Sequence, residues 1–304
     1  MRVSIEELLE KAREIGASDL HIKAGSPPIF RVEGVLKIGD DFPPFTSKDT
    51  KDMVMAITTE RQKLFLRRNL GLDISLEVPG QGRYRVNIFY QRGSLALAIR
   101  IISSEIRSIR ELMLPEVVEK LALEERGLIL VTGVAGMGKS TTLASMIEHI
   151  NQKKRARIIT IEEPIEYIFE DKKSIISQRE VGTDTPSFSI GLKEALRQDP
   201  NVIMVGEMRD LITVETALQA AETGHLVFAT LHTNSASKTI DRIIDAFPTN
   251  QQKQIRAQLS TAIEGVISQT LLRRARGTGR VAAFEIMIAT PAIKNMIREE
   301  KTHN

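Results

Sequence analysis

Apolar residues recur along the opening segment at helical spacing. Ile5, Leu8, Leu9, Ala12 and Ile15 share one face, Ser4 and Glu7 stand at capping-box spacing, and Gly16 offers a stop. Short alternating segments follow among glycines and prolines, at residues 20–22, 29–32 and 35–38, and a helical stretch over residues 46–66 interrupts the strands. Two longer strands come next, residues 83–91 and 94–102, with Arg92-Gly93 as a two-residue turn. A hairpin closed there pairs Tyr84 with Ile101, Val86 with Ile99, Ile88 with Leu97 and Tyr90 with Leu95, and this clean apolar face supports the register. The other face then sets Arg85 directly opposite Arg100. Like charges so placed repel. A shared anion is one reason to put them there; solvation on an open sheet face is the other.

Residues 103–115 have weak periodicity and end at Pro115, which predicts a linker between an N-terminal domain, residues 1–102, and a C-terminal domain, residues 116–304. In the second part, continuous apolar strands at 128–131, 157–161, 202–205 and 226–231 alternate with helices over 140–152, 189–198, 211–222, 237–247 and 251–274. Apolar strands separated by helices predict an α/β domain whose parallel sheet is covered on both faces.

Composition narrows the function classes. A net charge of +3 on 304 residues is too weak to name nucleic acid as a partner, and 4% aromatics with no Trp argue against a base-stacking platform. The absence of cysteine removes disulfides, cysteine-ligated zinc and thiol catalysis, and fits a reducing compartment. No apolar run reaches the roughly 18 residues needed to span a bilayer. The acidic amphipathic start is unlike a signal peptide. A soluble protein with no integral membrane segment is expected.

One motif carries the chemistry. Gly133-Val134-Ala135-Gly136-Met137-Gly138-Lys139-Ser140 matches the phosphate-loop pattern at every fixed position. An apolar strand, Leu128-Ile129-Leu130-Val131, runs into it, and a helix with Leu143, Met146, Ile147 and Ile150 on one face follows. Glycines let consecutive backbone N–H groups, here as far as Thr141, turn inward around an anion, and the helix N-terminus adds partial positive charge. Lys139 is expected to reach the β- and γ-phosphates of ATP, and the Ser140 hydroxyl to ligate Mg²⁺.

Such a loop needs carboxylates at neighbouring strand ends. Val202-Ile203-Met204-Val205-Gly206-Glu207 places Glu207 just past an apolar strand, where it would hold the metal and its water shell. Glu162, Glu163 and Glu166 follow the strand at 157–161, and any of the three could orient and deprotonate the attacking water. His225 and His232 bracket the strand at 226–231. His232-Thr233-Asn234-Ser235 is a run of polar donors on the edge that bears the loop, which favours γ-phosphate sensing by His232. Two histidines without cysteines are a poor zinc site.

Taken together these segments resemble the bacterial secretion and pilus ATPases, and within them the type IV pilus retraction ATPases of twitching motility. The resemblance runs along nearly the whole chain. It rests on Ala17-Ser18-Asp19-Leu20-His21, Gly82-Arg83-Tyr84-Arg85-Val86-Asn87, the phosphate loop, residues 160–167, 195–200 and 205–210, and the segments around His225 and His232. It implies a PAS-like α+β N-terminal domain, a RecA-like P-loop ATPase domain and a homo-hexamer. It places Glu163 in the family's Asp box, Glu166 at its catalytic glutamate, Glu207 at its atypical Walker B position and His232 in its His box. Arg85 and Arg100 fall where related ATPases place arginines that reach nucleotide, and His225 is counted with the nucleotide-binding residues.

The subtype follows from absences: extension and type II secretion ATPases usually carry a further N-terminal domain and a tetracysteine zinc segment. Residues 292–299 resemble a retraction-family motif in which Arg usually stands where Lys294 is. Asp is commoner at the place of Glu163 and a small residue at that of Met137, and a further helical segment is expected beyond Asn304. The expected function is a cytoplasmic hexameric motor ATPase at the inner face of the cytoplasmic membrane, hydrolysing ATP to power type IV pilus retraction. Nucleotide would bind between the two domains, and the motor would act on the inner-membrane platform protein of the pilus machine. A pilus extension or type II secretion ATPase is the alternative, and a RecA-like nucleic-acid translocase a more distant one.

Overall fold

Ser4 opens the first helix as its spacing predicts. Its Oγ accepts from Glu7 N at 3.2 Å, and Glu7 Oε2 accepts from Ser4 N at 2.9 Å. The computed structural model describes residues 3–102, 105–275 and 279–302, in two units, Met1–Ser104 and Glu105–Asn304.

In the first unit, α1 (Ile5–Glu14) is followed by β1 (Ala17–Ile22), β2 (Ile29–Val32), β3 (Val35–Ile38), α2 (Ser47–Ile57), α3 (Glu60–Asn69), β4 (Gly71–Val78), β5 (Gly82–Gln91) and β6 (Ser94–Ile101). The strands form one antiparallel sheet in the order β3-β2-β1-β6-β5-β4. The β5–β6 register is the one the apolar pattern demands, from Tyr84↔Ile101 to Tyr90↔Leu95. Tyr84, Val86, Ile88, Leu95, Leu97 and Ile99 pack with Ile5, Leu8 and Leu9 of α1 and with Met53, Val54 and Leu66. The helix expected over 46–66 is two helices. Thr59 caps the second through a capping box with Gln62, which breaks the run at Thr58.

The second unit contains α4 (Glu116–Ala122), β7 (Gly127–Thr132), α5 (Lys139–Lys153), β8 (Arg157–Glu162), β9 (Ile175–Glu180), α6 (Phe188–Ala195), β10 (Val202–Val205), α7 (Leu211–Glu222), β11 (Leu226–Leu231), α8 (Ala236–Asp245), α9 (Thr249–Ala262), β12 (Ile263–Arg273), β13 (Arg280–Ile288) and α10 (Pro291–Arg298). Its sheet runs β13-β12-β7-β11-β10-β8-β9, parallel except for β13. Alternate residues of β7 feed opposite layers: Leu128 and Leu130 pack with α6 to α10, Ile129 and Val131 with α4 and α5. This α/β layering is the RecA-like P-loop arrangement.

The helix drawn over 251–274 ends at Ala262, and β12 begins at the next residue. Parallel pairing with β7 draws Ile263–Ser268 into the sheet, where Val266 and Ile267 are fully buried. In the stretch expected as a linker, Ile109 is 2% exposed and joins the core layer of α4 and α5. Ser103 and Ser104 lie outside the described residues.

Candidate functional site

Strand β7 ends at Thr132, and the chain turns at once through residues 133–138 into α5. Gly138 caps that helix at φ 82. Gly133 has φ 144, and a Cβ there would lie 2.5 Å from Gln269 O, so only glycine fits. The first amides of α5 have no intrahelical carbonyl to bond, and they face the loop with the positive end of the helix dipole.

Lys139 Nζ curls over the loop, 2.8 Å from Gly133 O and 3.2 Å from Val134 O. Burial pushes its pKa below the ordinary lysine range, while the Glu207 and Glu166 carboxylates pull it back up. From Lys139 a chain of contacts crosses the sheet edge. Lys139 Nζ stands 3.3 Å from His232 Nδ1, His232 Nε2 is 3.0 Å from Glu207 Oε1, Arg209 Nε donates to Glu207 Oε2 at 2.8 Å, and Arg209 Nη1 donates to Glu163 Oε2 at 2.8 Å. An ammonium can only donate, so His232 Nδ1 accepts and Nε2 carries the proton given to Glu207. The members follow the carboxyl ends of β7, β11, β10 and β8, which are consecutive in the sheet. Clustering at one crevice is what parallel topology provides.

The three acidic candidates after β8 separate by environment. Glu162 is 7% exposed and accepts from Thr160 Oγ1 at 2.6 Å and Gln178 Nε2 at 3.1 Å. Burial raises its carboxyl above the usual range against those hydrogen bonds. Glu163 is ion-paired to Arg209. Glu166 is exposed and close enough to Lys139 to act on its charge. Their loop is held from β9: Ile165 N donates to Glu180 Oε2 at 3.0 Å, Phe169 N to Gln178 Oε1 at 2.9 Å, and Gln178 Nε2 to Tyr167 O at 2.7 Å. Tyr167 OH in turn meets Thr141 Oγ1 at 2.8 Å, tying the loop to α5. Ser140 sits half-buried in the same first helical turn.

A family model for type II/IV secretion system proteins matches residues 2–304. The chain belongs to that family. It is 49% identical over 300 residues to a type IV pilus retraction ATPase, PilT, of Pseudomonas aeruginosa, covering 98% of this chain and 86% of the relative. A twitching motility protein of Neisseria gonorrhoeae is 47% identical over 90% of this chain and 73% of its own. Among solved structures, a crystal structure of the pilus retraction motor PilT with bound ADP superposes with a TM-score of 0.94 at 54% identity, covering 99% of this chain and 87% of that one.

Within this family member not every predicted residue joins the cluster. His225 does not. It precedes β11, its Nδ1 lies 2.9 Å from Ala220 O at the end of α7, and its carbonyl accepts from Gly127 N at 3.0 Å. Because β11 and β7 run parallel from Leu226↔Gly127 to Leu231↔Thr132, His225 lies at the opposite end of the strands from the phosphate loop. Six strand residues put the two roughly 20 Å apart. Thr233 and Ser235 turn toward α8: Thr233 Oγ1 meets Thr239 Oγ1 at 2.6 Å, and Ser235 caps α8.

Arg85 and Arg100 lie on the first unit's polar sheet face, opposite each other as expected. Asp19, next across the sheet, supplies a carboxylate the pairing argument lacked: Arg100 Nε lies 3.1 Å from Asp19 Oδ1. Lys294 belongs to α10 and contacts Glu264 Oε1 at 2.8 Å and Thr261 O at 3.4 Å, at the end of α9.

Sequence reasoning missed Arg209, Gln178 and Gln269. Gln269 is 3% exposed; its Nε2 donates to Met137 O at 2.5 Å and its Oε1 accepts from Thr142 Oγ1 at 2.8 Å. Met137 is accommodated because its Sδ accepts from Leu271 N at 3.2 Å.

Proposed function

We propose that this chain binds ATP with Mg²⁺ at the carboxyl edge of the second unit's sheet and hydrolyses it. We further propose that it does so as one subunit of a homo-hexameric cytoplasmic motor that retracts a type IV pilus through the inner-membrane platform protein. The observation that carries the reading is the unbroken contact chain from Lys139 through His232 and Glu207 to Glu163 beside a phosphate loop. The identity with a retraction ATPase over nearly the whole chain supports the direction of work.

The residues fit a magnesium ion. Mg²⁺ takes oxygen ligands, commonly one or two from protein with the rest from phosphate and water. Ser140 and Glu207 offer that set, and among the described residues no group of three or more His, Cys, Asp or Glu is arranged to hold a metal ion. Bound there, the ion would neutralise charge on the β- and γ-phosphates.

The chain's own groups supply the rest. Backbone amides of residues 133–141 hold the phosphates. Lys139, which caps loop carbonyls 2.8–3.2 Å away, swings onto the γ-phosphate and leaves His232 Nδ1 without its donor. His232 reports that change to Glu207 through its Nε2 proton. Glu166, exposed and not ion-paired to Arg209, orients the attacking water and takes its proton. Glu163 and Arg209 fix the position of Glu207.

Deleting the gene in its own host tests the direction of work. Hyperpiliated cells that do not twitch are expected; bald cells would make the chain an extension ATPase. Light scattering of the purified chain with Mg-ATP should show six-subunit mass, and a monomer under all conditions would contradict the ring.

A further inference from the structure

Resting on the reading of residues 133–138 as a phosphate cradle, we propose that Gln269 is a positioning residue for nucleotide binding. It holds the Met137 carbonyl outward, so that the next amide hydrogen points into the cradle. Strand β12 pairs with β7 up to Ser268↔Thr132, so Gln269 stands beside the first residue of the loop. Its backbone oxygen occupies the space a side chain on Gly133 would need, and its Nε2 lies 3.2 Å from where a Cβ on Gly138 would sit. Its carboxamide is used at both ends, on Met137 O and on Thr142 Oγ1. One buried residue thus meets the loop at its start through its backbone oxygen, and near its end and in the helix that follows through its side chain.

The orientation of the carboxamide is fixed by its partners. Met137 O can only accept, so the NH₂ end faces it, and the Thr142 hydroxyl donates to the remaining oxygen. The consequence for the loop is stereochemical. In a planar trans peptide the carbonyl oxygen and the following amide hydrogen lie on opposite sides. With Met137 O anchored toward β12, the Gly138 N–H is directed away from β12. Without that anchor the Met137–Gly138 peptide is free to rotate and present its oxygen to an incoming phosphate, a repulsive arrangement. Two further contacts from the β12–β13 hairpin frame the same peptide region: Leu271 N to Met137 Sδ at 3.2 Å, and Arg280 Nη1 to Gly136 O at 3.3 Å.

Gln269→Glu separates this role from simple core filling. It keeps size and shape but sets an ionised oxygen against the Met137 carbonyl, and when protonated it regains a donor. Buried carboxyls take up their proton at higher pH than free ones. ADP affinity and Mg-ATP kinetics would be measured on the full chain from about pH 8 down to about pH 6. The expected result is ADP binding weakened about 10-fold or more at the alkaline end and recovering toward wild type as pH falls, with KM rising more than kcat drops. Gln269→Met, which has no donor, should show the loss without the recovery, and should serve alone if the Glu variant does not fold. Thr142→Val, which leaves the Met137 contact in place, should change affinity by less than about 3-fold. ADP affinity within about 2-fold of wild type in both Gln269 variants would overturn the proposal. So would a pH-independent loss in Gln269→Glu that tracks its fall in Tm. A wild-type chain that binds no ADP would instead remove the cradle reading on which the proposal rests.

Discussion

His232 donates its Nε2 proton to Glu207 across 3.0 Å, while its Nδ1 faces Lys139 at 3.3 Å. One imidazole therefore bridges the cation of the phosphate loop and the carboxylate of the adjacent strand. The ring has a donor at one nitrogen and an acceptor at the other only when neutral. A triphosphate that draws Lys139 away alters one side of the bridge and thereby the other. His232→Ala is expected to bind ATP within a few-fold of wild type and to turn over about 10- to 100-fold more slowly. Nucleotide titration with steady-state phosphate release checks this; unchanged turnover would make the bridge incidental.

Glu166 and Glu162 make a paired test, because they lie four residues apart in opposite environments. Glu166→Gln should retain ATP binding and lose turnover by about 100-fold or more. Wild-type turnover in that variant would move the base role to another carboxylate.

Glu162 has a different signature, in stability. Burial holds its folded-state pKa above the ordinary value of 4.5. Between the unfolded and folded values the folded chain keeps a proton the unfolded chain has released, so stability falls as pH rises through that window. Below the unfolded value the contribution is fully present. Glu162→Gln cannot titrate, and its Tm should change less than that of wild type as pH rises from 4.5 toward neutrality. Calorimetry across that range measures it, and identical slopes would mean that Glu162 ionises in the fold at its ordinary value.

Gly133 is constrained twice, by φ 144 and by Gln269 O 2.5 Å from any Cβ. Gly133→Ala should cost about 1–3 kcal/mol of stability and distort the loop. Denaturant unfolding with ADP titration tests it; a stable, fully binding variant would show that β12 yields without consequence.

The hairpin register and the phosphate loop were legible because each rests on local pattern: Tyr84, Val86 and Ile88 alternate cleanly, and the glycines of 133–138 sit between an apolar strand and an amphipathic helix. The break at Thr58 was also encoded, in Thr59 and Gln62 at capping-box spacing. Strand β12 was not. No glycine or proline marks Ala262 to Ile263, and helix gives way to strand because β7 offers a pairing edge distant in sequence. Losing β12 hid Gln269, which reaches Met137 across 132 positions. His225 and His232 look alike as residues flanking a strand; only the parallel direction of β11 and β7 tells which end faces the loop.

The most direct test is phosphate release from Mg-ATP by the purified chain beside Lys139→Ala. Steady turnover in the wild type, with nucleotide affinity down about 100-fold or more and turnover abolished once the ammonium is gone, is the predicted result. A wild type that leaves Mg-ATP intact, or a Lys139→Ala chain that hydrolyses it equally well, would contradict the account.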